Sequence, residues 1–202
     1  MGTSGAHGEP DDDLHRQIQP PENEIPAALP QNLLLARTDE VAVALLGLQV
    51  HSTGVTFELT VRVRPSARAE LGHRLQELVW DRGRGTARFL LGVELADGRR
   101  GSSVPGRSSE DVFFHSRGGS GGDSSISQRW WLSPLPPEGP VRVVVRCPEL
   151  RLAETAVELD GTAIRQAAEQ VVELWPWSRQ ELAPPEPPPP PDLPDDSWFA
   201  RR

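Results

Sequence analysis

A chain of 202 residues fits one domain of ordinary size with flanking segments. Its net charge of −8 works against a phosphate-backbone partner, which selects a basic stripe or patch, so no nucleic-acid binding is expected. Cys147 stands alone, which rules out an internal disulfide, and no apolar run approaches the ~20 residues of a membrane-spanning helix.

The N-terminal residues lack the basic and apolar regions of a secretory signal, so a cytoplasmic protein without membrane association is expected. Residues 1–31 are polar and broken by Pro20, Pro21, Pro26 and Pro30. They carry too little apolar surface to offset their ordering entropy, which predicts a disordered segment. The folded domain is expected over 32–178.

Within it a strand is predicted at 41–50, followed by a turn at His51–Gly54. Val55, Phe57, Leu59, Val61 and Val63 then alternate with Thr56, Glu58, Thr60 and Arg62, the period of a strand with one buried face. Residues 66–79 suit either a helix capped by Ser66, with Leu71, Leu75 and Leu78 on one side, or a short irregular strand. Phe89, Leu91, Val93 and Leu95 mark the next strand, and Asp97–Gly98 is a hairpin turn signal.

A strand around Val112–His115 is expected to run into a flexible Gly/Ser loop at Gly118–Ser125. In the strand that follows, Ile126, Gln128, Trp130 and Leu132 share the core face, which turns Trp131 outward. Val141, Val143, Val145 and Cys147 form another buried stripe, and a buried thiol behaves there as a small hydrophobe. After a strand through Thr155, Val157 and Leu159, the stripe Ile164, Ala168, Val171, Trp175 predicts a helix over 162–175. Short strands separated by turn signals define the expected class: mainly β, an antiparallel immunoglobulin-like β-sandwich with one C-terminal helix and disordered Pro-rich ends.

Residues 179–202 change composition entirely. Pro184–Pro191 predicts a polyproline II spacer in a disordered tail, leading to Asp195, Asp196, Ser197, Trp198 and Phe199.

No catalytic, cofactor or metal constellation emerges. Gly118–Gly122 matches the G-x-S-x-G of a nucleophile elbow, but a strand rather than a helix is expected after Ser120. All five histidines also precede Ser120, whereas that fold needs one downstream. No two histidines have metal-ligand spacing, and a lone cysteine provides no thiolate pair.

The stretch from Trp130 to Val145, with Glu158–Gly161, resembles a group of uncharacterised actinobacterial proteins. Phe89–Gly98 and the Pro/Gly turn that follows the tryptophans are similar to immunoglobulin-like sandwich domains of bacterial proteins. The resemblance spans about residues 38–176 and implies a fold with no particular activity. The expected function is therefore a noncatalytic protein-interaction module. Its candidate contact residues are Trp198 and Phe199 on the tail and the outward Trp131, and its partner is an unknown protein. The alternative is a small hydrolase or other enzyme with a site on strand-end loops near His51, His115 and Asp123.

Overall fold

The computed structural model describes Leu14, residues 16–80 and residues 89–178. The expected disordered start over 1–13 and the Pro-rich tail over 179–202 lie outside the described residues. In chain order the elements are β1 (Glu24–Ile25), β2 (Ala27–Arg37), β3 (Val41–Val50), β4 (Val55–Val63) and, after a 3-10 turn, α1 (Arg68–Trp80). They continue with β5 (Leu90–Glu94), β6 (Arg100–Ser102), β7 (Phe113–Gly121), β8 (Ser125–Ser133) and β9 (Pro140–Cys147). β10 (Leu152–Asp160), α2 (Gly161–Ala168) and β11 (Val172–Glu173) complete the set.

The mainly antiparallel β expectation holds. One sheet has the order β2-β3-β4-β8-β7, a second β10-β9-β5-β6, and β1 pairs with β11 as a separate ribbon. Both larger sheets contribute to one buried cluster. Val43, Leu45, Phe57, Leu59, Ile126 and Trp130 come from the first sheet, and Leu91, Val93, Val143 and Val145 from the second. Phe114 extends the aromatic part of this core, stacking on Trp130 at 4.8 Å between ring centroids. The sheets also meet at their edges. The Thr155 hydroxyl on β10 donates to the Leu35 carbonyl on β2 (3.0 Å), and a Cβ on Gly101 of β6 would lie 2.6 Å from that of Phe114 on β7.

The alternation of β3 breaks once, at a purposeful place. Val41, Val43 and Leu45 are buried, and then Leu48 and Val50 are. The odd residue between these sets is Gly47, at φ +51°, where the β3–β4 register slips between Leu46 and Leu48. This bulge returns the second half of the strand to the core face. Without it every later side chain would turn to the opposite side.

Three expectations are corrected, and the open choice at 66–79 is decided. Residues 24–31 are not disordered: they hold β1 and the start of β2, with Ala27 buried. Residues 66–79 are helical, with Leu71 and Leu75 in the core. The Gly/Ser stretch after His115 continues as strand to Gly121, because Gly119, Ser120 and Gly121 pair with Gln128, Ser127 and Ile126 of β8.

The last helix starts at Gly161, with the Asp160 carboxylate accepting the Thr162 N–H at 2.8 Å, but it ends at Ala168 and not at 175. Val172 and Glu173 pair instead with Ile25 and Glu24, so Trp175 leaves the apolar stripe and is exposed. A long-range ladder has won over local helical spacing.

Gly47 yields a direct test. A Cβ there meets nothing within 4 Å, so Gly47→Ala carries only the backbone cost of left-handed φ, about 1–2 kcal/mol in urea denaturation. Deleting Gly47 removes the extra residue and leaves Val41, Val43, Leu45, Leu48 and Val50 at every second position, so that variant should keep a cooperative unfolding transition, whereas inserting a second residue beside Gly47 should abolish it.

Candidate functional site

The chemically distinctive part of the molecule surrounds Trp131. Thr56 on β4 and His115 on β7 are its cross-strand partners, so all three belong to the face of the sheet opposite Trp130. Trp131 is nevertheless completely buried, at 0% exposure. Its expected role as an accessible contact residue is therefore wrong. The alternation is correct, but residues that lie before the first predicted strand cover that face.

The cover is built by few groups. The Trp131 indole N–H donates to the Gln17 carbonyl at 2.7 Å. The His51 ring meets the indole edge-on, 5.6 Å between centroids at 80°. The β3–β4 hairpin closes the third side. A Cβ on Gly54 would lie 2.6 Å from the indole, so only glycine lets the ring sit flat against that turn. Thr53 of the same turn donates its hydroxyl to the Arg16 carbonyl (2.9 Å) and accepts the Ser133 hydroxyl on its own carbonyl (3.0 Å).

The N-terminal strap is held again by β1. The Glu24 carboxylate accepts the Ser52 N–H (3.0 Å) and the Ser52 hydroxyl, and one of its oxygens lies 4.0 Å from Nδ1 of His51. Asn23 donates its amide to the Trp175 carbonyl (2.8 Å), the Leu174 N–H donates to the Asn23 carbonyl (2.8 Å), and the Arg16 guanidinium sits 5.8 Å above the Trp177 ring. Burial holds the His51 imidazole below its ordinary pKa, an effect that the nearby Glu24 charge partly offsets.

The residues of the expected hydrolytic site do not assemble. His115 is Cα partner to Trp131, which His51 also touches, so both histidines belong to one end of the sheet. Asp123 lies past the far end of β7, roughly 20 Å away at ~3.3 Å per strand residue, and forms an ion pair with Arg68 of α1 at 3.2 Å. Burial, and then the charge of Arg117, lowers the His115 pKa.

His115 lines a cleft of about 310 Å³ with Ser102, Ser108, Ser116, Phe114 and Trp130. Its serines serve the local turns: Ser108 Oγ accepts the Ser102 N–H (2.9 Å) and Ser116 Oγ the Gly118 N–H (3.4 Å). Among the described residues no three His, Cys, Asp or Glu side chains converge as a metal site would require. Trp198 and Phe199 lie outside the described residues.

Sequence reasoning missed Glu24, Asn23, Gln17 and Arg16 altogether. The one available signal was the outward Trp131, too large an apolar ring to leave in water without a cover.

In comparisons with known proteins, no family model, no curated protein and no solved structure matches the chain. Among the described residues no helix is long and apolar enough to cross a membrane.

Two measurements check the site. Trp130→Ala and Trp131→Ala should each cost about 3–5 kcal/mol in denaturant unfolding, as large buried deletions do; a near-neutral Trp131→Ala contradicts the cover. Burial, together with Glu149 nearby, pushes the Cys147 thiol up to about 11, so the native protein at pH 8 should resist alkylation that urea-unfolded protein undergoes readily.

Proposed function

We propose that the chain is a noncatalytic protein-interaction module on an immunoglobulin-like sandwich, related to the actinobacterial proteins it resembles and working in the cytoplasm. The carrying observation is an apolar strip at the root of the tail. Ile25 and Val172 are Cα partners on the β1–β11 ribbon, so their side chains share a face, and they are 53% and 52% exposed. Leu174 and Trp175 follow at 45% and 57%. Exposed apolar residues so grouped mark an interaction surface more often than chance exposure does.

The sequence leads from this strip through the Pro184–Pro191 run to Trp198 and Phe199. A proline-rich spacer loses little entropy on binding, and Asp192, Asp195 and Asp196 precede the aromatic pair. The partner that fits is a protein with an apolar groove bounded by basic side chains. The competing hydrolytic reading loses its acid, since Asp123 is separated from His115.

The test places a photo-crosslinker at position 198 of the full chain and identifies the captured partner. Binding of that purified partner is then measured for wild type, Trp198→Ala/Phe199→Ala and Val172→Asp. Both variants should bind at least tenfold more weakly. Undiminished binding by both overturns the reading.

A further inference from the structure

Three buried side-chain polar atoms have no hydrogen-bond partner among the described residues: Nε of Arg16, Oδ1 of Asn23 and Nδ1 of His51. All three belong to one contact. Arg16 and Asn23 lie on the strap that covers Trp131, and His51 lies beneath it. Elsewhere the described interior satisfies its side-chain polar atoms. An unsatisfied buried polar group opposes the contact that buries it, so this is where the structure opens most readily.

We propose that residues 16–25 are a latch over Trp131 which protonation of His51 releases. In the closed form His51 is 7% exposed, and no hydrogen bond reaches its Nδ1. Glu24 on β1 is the charged group that bears on it, at 4.0 Å, and Ser52 already claims that carboxylate through its N–H and hydroxyl. Trp131 on β8 presents an uncharged edge, with His115 of β7 beyond it as its strand partner. The Arg16 guanidinium is taken up by the Trp177 ring, and the Glu173 carboxylate of β11 accepts from Asn23 at 3.5 Å.

Lifting the strap gives His51 to water and restores its ordinary value of 6.5. Burial lowers the value in the closed form despite the pull of Glu24, so the open form binds the proton better. The closed form is accordingly fully favoured above about pH 6.5 and loses its advantage as pH falls from there toward the closed-form value. Opening frees the Trp131 indole, and it detaches β1 from β11 at the root of the tail.

The experiment follows hydrogen exchange of residues 16–25 in the full chain, corrected for intrinsic rates, together with solvent exchange of the Trp131 indole proton. Between pH 7.5 and 5.5 the opening constant should rise by up to about tenfold, the limit for one group titrating at 6.5. His51→Gln should remove this rise while leaving carboxylate contributions common to both proteins.

An opening constant that is flat with pH in wild type, or that rises equally in His51→Gln, overturns the latch. If His51→Gln does not fold, the His51 ring titration by NMR in the native chain decides. A midpoint below 6.5 is expected, and one at or above 6.5 overturns the proposal.

Discussion

Trp131 imposes the constraint on which the surrounding architecture depends. It stands on the outward side of β8, opposite the core that Trp130 joins, and an indole of that size in water would forfeit a large part of its apolar burial. The molecule answers with backbone and with the ring of His51. A carbonyl from Gln17 takes the indole N–H, and the Gly54 hairpin lies against the ring. Once residues 16–23 are drawn across the sheet, β1 falls beside residues 172–173, and the end of the folded region is fixed by the strand that precedes it.

The same contact joins two opposite demands. Covering Trp131 favours closure, while hiding Arg16, Asn23 and His51 among groups that cannot satisfy them works against it. Elsewhere the arrangement is plainer. The inward rows of β3, β4, β5 and β9 are aliphatic or aromatic apart from Cys147, a small hydrophobe, and the one polar side chain in the inward row of β8, Gln128, accepts the Trp130 indole N–H. Conformational choice is thus concentrated at one edge of an otherwise unambiguous interior.

Legibility in the sequence followed the same division. Strands β4 and β9 were readable because every second residue is apolar and buried, with a polar opposite face on β4 and Arg142 and Arg146 on that of β9. β3 was readable despite its bulge, since a glycine absorbs the extra residue. β2 was hidden by Pro30, which a central strand would not tolerate but which the edge position of β2 permits. The glycines of β7 carry no side-chain pattern, so only their pairing with β8 makes them strand.

The spacing of Val171 and Trp175 suited a helix equally well, and the choice was made by Glu24 and Ile25, far away in sequence. At the site, His51 and His115 were legible as strand-end residues. Glu24 and Gln17 were not, because neither lies in a periodic segment and both act through contacts that only the closed fold creates.

The strap also sets an order of events during synthesis. Gln17 leaves the ribosome 114 residues before the indole it serves, and Asn23 waits 152 residues for the Trp175 carbonyl. At roughly 5–20 residues per second these separations mean many seconds in which the strap has no seat. Over the first of these intervals the strap is the unpartnered element, since Trp131 is made only at its end. The segment translated early is therefore among those placed late, and its seat is complete only once Trp175 has been made.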